Sequence, residues 1–243
     1  MVIKSNLAKG WFGFQLLAEK LASVLRSRNN LQIIALLVIG CSILSVIIPP
    51  FQSPDEHDHI KRAYLLSTGV LVLERPEGKS SGGYVDGGLL KFMESYGVVK
   101  GKLSAEEVSS NGAIEWSGNR VYSSAPGTGY YFPAIYLPQA LGLWVGELLD
   151  LTIDHSYRLA RAFALSAVAL LLYAAFRLYP PNPLVLALLA VPMTLFQFSS
   201  ASLDGVSTAL AVFSISAFLK ISTNRGASSV WVQYAFALAI AVL

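Results

Sequence analysis

Charge is scarce in this chain: Asp, Glu, Lys and Arg make up 14% of its 243 residues, against 54% hydrophobic residues. Soluble domains carry about a quarter charged residues, so this composition excludes an ordinary soluble fold and fits a polytopic membrane protein. Cysteine is almost missing. The single Cys41 rules out an intramolecular disulfide, and its place inside an apolar run suits a small buried side chain. There is no GxGxxG loop, no P-loop, no Cys/His zinc spacing and no Gly-x-Ser-x-Gly elbow. Nor do bases alternate with aromatics over any length, which excludes a nucleic-acid partner.

The few charges are informative by position. Lys4, Lys9, Lys20, Arg26 and Arg28 face only Glu19 before residue 31, so residues 1–30 read as a basic segment retained in the cytoplasm. Residues 31–49 contain an uncharged run, "LQIIALLVIGCSILSVII", stopped by Pro49 and Pro50. This is the first transmembrane helix: about 18 residues just cross the hydrocarbon core. The ~30 residues that precede the run, and the want of a small-residue cleavage site after it, argue against a removed signal peptide.

Residues 50–155 then form an outer loop, polar and rich in Gly and Ser as far as 129. Apolar runs follow at about 130–149, 157–178, 183–199, 205–219 and 229–243. If all five crossed, Asp204 would face the cytoplasm, and Lys220 and Arg225 would lie outside, against the positive-inside tendency. A run at 130–149 that reclines on the outer surface removes the conflict. Its Pro133, Pro138, Gly142 and Gly146 disfavour a span, and Tyr130, Tyr131, Tyr136 and Trp144 suit an interface or a sugar-stacking role. The expectation is an all-α polytopic membrane protein with four further transmembrane helices in 156–243. The last of them is cut off inside an apolar run, as in a truncated reading frame.

Most of the candidate chemistry lies in "PPFQSPDEHDHIKRAY", directly after the first helix. Asp55 and Glu56 can accept a proton from an attacking hydroxyl or contribute to a divalent-cation site. His57 and His59, two residues apart, do not share a helix face, which weakens a transition-metal reading. The same residues suit a helix start, with Ser53 as cap, Pro54 in the first turn and two acids facing the dipole. Arg62 can meet a lipid phosphate or pair with Asp58 four residues earlier. Arg158 and Arg161 open an inward span where they can meet a phosphate or snorkel to the interface. Asp150 and Asp154 read as solvated loop acids.

Three stretches resemble a known family. "PDEHDHIKRAYLLSTG", "YYFPAIYLPQALGLWVGELLDLTIDHSYRLAR" and "SSASLDGVSTALA" are similar to segments of a bacterial polytopic family classed as domain of unknown function 2142. That family in turn resembles the GT-C membrane glycosyltransferases, whose module has one span, a long first outer loop opening on an acidic motif, and juxtamembrane helices. The resemblance implies sugar transfer from a polyprenyl-phosphate donor to a glycan or lipid acceptor, on the outer face of the bacterial cytoplasmic membrane. It makes Asp55, Glu56 and Asp204 the catalytic candidates, and His59 and Arg62 residues of the family pattern, which with Arg158 and Arg161 are the substrate-binding candidates. No nucleotide fold is needed where the donor is held through its lipid phosphate. The alternatives are a transporter or lipid-handling protein without bond chemistry, and an inactive truncated fragment.

Overall fold

The computed structural model describes residues 29–97, 110–223 and 229–243. The basic residues Lys4 to Arg28, and Arg225, which enter the orientation argument, lie outside these residues.

Helix α1 (Asn29–Ile47) stops just before Pro49 and Pro50, whose rings cannot continue a helix. The segment that follows carries α2 (Glu56–Ser67), β1 (Gly82–Asp86), α3 (Gly87–Tyr96) and β2 (Arg120–Ser124). Two short 3-10 turns, Thr128–Tyr130 and Pro133–Tyr136, lead into α4 (Leu137–Leu148). Then come α5 (Ile153–Leu178), α6 (Pro183–Leu189), α7 (Pro192–Phe198), α8 (Asp204–Thr223) and α9 (Val230–Val242). Among the described residues α1, α5 and α8 are long and apolar enough to cross a membrane. The chain is an all-α membrane protein in architecture, with one antiparallel ribbon running from Gly82 opposite Ser124 to Asp86 opposite Arg120.

Two of the apolar runs differ from a simple span. The run 130–149 resolves into the 3-10 turns and the 12-residue α4, about 18 Å long and too short for a ~30 Å core. The run 183–199, expected as one span, is broken into α6 and α7, because Pro192 has no N–H to continue the ladder. Thr194 Oγ1 donates to the carbonyl of Leu188 at 3.0 Å across that break.

Helix α5 is the spine, with α4 and α8 packed on it and α2 on α4. Its directions follow from long-range bonds. Asn30 Nδ2, at the start of α1, donates to the carbonyl of Phe176 near the end of α5 (3.1 Å). At the other end, Arg161 Nη1 donates to the carbonyls of Ser45 and Ile48, both at 2.9 Å, so α1 and α5 run antiparallel. The start of α5 and the turn before α8 both meet Glu56, so α5 and α8 run parallel. Residues 45–56, 157–161 and 199–204 therefore gather at one end of the bundle.

That end is anchored by aromatic packing. Phe51 takes a positive φ of 60° yet is buried, stacked on His57 with centroids 4.7 Å apart and tilted on Tyr157 at 4.9 Å. The β1 to α3 junction is tied by Asp86, which accepts from the N–H groups of Gly88 (2.8 Å) and Leu89 (3.3 Å) as a helix cap. It also accepts from the N–H groups of Ser117 (3.1 Å) and Gly118 (2.8 Å), pinning that turn to the start of α3.

Candidate functional site

The acidic motif is a tight turn rather than a side-chain-capped helix start. Asp55 occupies the cap position of α2 in the left-handed region (φ 56°) and makes no side-chain capping bond. Its carbonyl accepts from the N–H groups of Asp58 and His59, both at 3.0 Å. The expected cap, Ser53, is buried with its hydroxyl unpartnered; its N–H instead donates to Glu56 Oε2 (3.3 Å). Pro54 precedes the helix rather than occupying its first turn. The bend turns the Asp55 carboxylate outward, where it is exposed.

Glu56 goes the other way and is fully buried. Its Oε1 accepts from the Tyr157 hydroxyl at 2.6 Å and from the Ala201 N–H at 2.7 Å. Arg161 stands 3.7 Å from the same oxygen. The Tyr157 hydroxyl also accepts from Arg161 Nε (2.9 Å) and Phe51 N–H (3.3 Å). Arg161 is 4% exposed, and its remaining contacts are the carbonyls at the end of α1, including Pro49 at 3.1 Å. Both residues are thus occupied in joining α1, α2, α5 and the 199–203 turn, instead of facing a ligand.

That turn, "SSASL", is wholly buried. Gln139 Nε2 in α4 donates to the carbonyl of Ser202 (2.8 Å). A ladder of hydroxyls runs from Ser200 to Ser202 (3.0 Å) and on to Asp204 Oδ2 (3.3 Å). Asp204 itself is partly exposed at the start of α8.

His59 lies between the two acidic motifs. It is buried, 3.1 Å from the Tyr136 hydroxyl through Nδ1. Burial lowers its pKa, while the negative charges of Asp204 and Asp55 act on it in the opposite sense. Burial pushes the Tyr136 phenol well up, so it stays a neutral hydroxyl. Asp55 and Asp204, 149 positions apart, therefore act electrostatically on one imidazole.

The basic candidates separate. Asp58 pairs with Lys61 (2.6 Å) rather than with Arg62. Lys61 also donates to the carbonyl of Ser124. Arg62 is 2% exposed and donates to the carbonyls of Val70 (3.0 Å) and Leu71 (2.7 Å). Arg158 is half exposed and pairs with Asp154 four residues before it (2.7 Å). Asp154 is buried, contrary to its expected place in a solvated loop, because it stands in the first turn of α5 rather than in the connecting loop. Tyr136, expected at an interface, is also fully buried beneath His59, whereas Tyr130 and Trp144 are exposed.

Beside α2 opens a cavity of about 1100 Å³, lined by Arg62, Leu66, Arg75, Tyr130, Tyr131 and Leu137 among others. Tyr131 also faces His59, with ring centroids 6.3 Å apart. No group of three or more His, Cys, Asp or Glu side chains able to hold a metal ion occurs among the described residues. The described acids do not by themselves assemble a complete donor set for a divalent cation.

The sequence reading overlooked Tyr157, Gln139 and Arg75. Tyr157 shares a face with Arg161 one turn on, and Gln139 is the lone polar side chain within "LPQALGLWVG"; both were readable signals of buried pairing. Arg75 carries no such signal, since its place depends on how the 68–81 segment folds back.

One family model, described as predicted membrane protein (DUF2142), matches residues 37–243. No curated protein and no solved structure matches the chain.

Proposed function

The chain belongs to the DUF2142 family of predicted membrane proteins, and from that premise we propose that it transfers a sugar from a polyprenyl-phosphate donor at the outer face of the bacterial cytoplasmic membrane. In this reading the chain is multi-pass with a cytoplasmic N-terminus and carries a GT-C-like module. The acceptor is a hydroxyl of a glycan or lipid. Asp55 takes or orients the hydroxyl proton; the hydroxyl oxygen bonds to the anomeric carbon as the bond from that carbon to the phosphate oxygen breaks. The leaving lipid phosphate is met by cations near the outer leaflet, for which Arg62 and Arg158 are the candidates. Asp204 orients the acceptor from the second loop, and Glu56, His59 and Arg161 position the two loops.

One observation carries the reading. The Ala201 N–H bond to Glu56 (2.7 Å) ties the turn before Asp204 to the residue after Asp55. This gives a two-acid site a rigid base while leaving both outer carboxylates accessible.

Replacing the Asp55 carboxylate by its amide tests this. Asp55→Asn should reduce sugar transfer in isolated membranes by about 10²-fold or more, with the melting temperature in detergent unchanged. Glu56→Gln should instead lower stability, by about 3–5 kcal/mol for a broken buried ion pair. Unaltered transfer by Asp55→Asn overturns the assignment.

A further inference from the structure

The cavity beside α2 has the make-up of a receptor for an amphiphile. At about 1100 Å³ it is at the upper end of the size of ligand sites. Its lining includes two arginines and no carboxylate, so its field favours an anion. Arg62 is almost wholly buried, and its Nε has no hydrogen-bond partner. An orphan cationic donor in a desolvated wall is costly unless an acceptor meets it. Arg75, at the same cavity, is exposed and makes no bond or ion pair among the described residues.

The mouth is apolar where a soluble anion would need none of that surface. Leu71, Val72 and Tyr130 are 61%, 83% and 94% exposed. From Leu137 in the cavity wall, exposed apolar residues continue along α4 through Leu141, Trp144 and Leu148. That spacing of four, three and four residues is a single helical stripe. The opposite side of α4 is buried against α5, so the stripe is free to lie in a membrane interface. The apolar track thus leads from a bilayer surface to two cationic side chains.

We infer that this cavity binds a lipid of net negative charge whose head carries a phosphate, the head meeting Arg62 and Arg75 and the chains leaving along the α4 stripe. Guanidinium groups form short, charge-assisted bonds to phosphate oxygens, and the aliphatic and aromatic wall accepts the first carbons of the tail. The site shares Arg62 with the proposed reaction and to that extent rests on that reading, whereas Arg75, Val72 and the stripe have no part in that chemistry.

Native mass spectrometry of the full chain in phosphatidylcholine nanodiscs tests the inference, with added polyisoprenyl phosphate, phosphatidylglycerol or inorganic phosphate as separate arms. At least one of the two lipids should be retained, one per chain. Arg75→Gln should weaken retention about tenfold and Val72→Asp at least as much, whereas Lys91→Gln, an equal loss of charge on α3, should not. Retention of phosphatidylglycerol alone identifies a bilayer lipid; retention of the isoprenoid identifies a carrier lipid. Failure to retain either lipid, equal retention by Arg75→Gln, or free phosphate binding as tightly as the lipids overturns the site. Lipid retention without sugar transfer leaves this inference standing and removes the proposed reaction; transfer without retention does the reverse.

Discussion

Asp55 and Glu56 are adjacent acids with opposite environments, and the backbone separates them. A left-handed turn at Asp55 (φ 56°) costs about 1–3 kcal/mol for a non-glycine residue. It is held by Glu56, whose carboxylate is fixed by Tyr157 and Ala201. Nothing in the string "PDEHDH" distinguishes the two acids, since both carry the same charge and suit the same helix end. His59 reports on the arrangement. Its folded pKa is lowered by burial, so the unfolded chain binds a proton more readily, and stability falls as pH drops below about 6.5. In detergent, the melting temperature at pH 5.5 should lie below that at pH 7.5, and His59→Gln should reduce that difference. His57, lowered by burial as well, supplies the residual slope. Equal slopes in the two proteins would remove His59 from this role.

Among the helices, α4 is where pattern and packing part company. The prolines, glycines and aromatics of 130–149 suggest a reclining segment, and the 12 residues of α4 are too few to cross. The glycines, however, serve contact more than bending. A Cβ at Gly142 would come within 2.5 Å of the Ala160 backbone, and one at Gly146 within 2.2 Å of the Ser156 hydroxyl. Helices α4 and α5 therefore meet backbone to backbone, which sets Gln139 under the Ser202 carbonyl. Gly142→Ala should cost about 1–3 kcal/mol through forced separation, read as a lower melting temperature. Gly40→Ala in α1, where a Cβ meets nothing within 4 Å, should cost nothing. The β1–β2 ribbon was not visible beforehand, because each strand is five residues long and its partner lies beyond α3.

The whole molecule is organised around one end, where α1 finishes and α5 and α8 begin. This brings both acidic motifs to the same end of the bundle, and with the proposed outer location it makes a measurable forecast. Reporter fusions after residues 125, 152, 180 and 204 should read outside, outside, inside and outside; a cytoplasmic report at 152 would separate Asp204 from Asp55. Membrane class, the all-α architecture and an apolar helix ending before Pro49 were legible in the sequence. They depend on hydropathy, helix length and charge position, which are local properties of the chain. The break between α6 and α7 follows from Pro192 and was in the sequence to be read, whereas which of the two adjacent acids is buried was decided by the tertiary structure. Glu56 is fixed by partners more than 100 residues away, Tyr157 and Ala201, and a side chain's neighbours across the fold leave no trace in its own surrounding sequence.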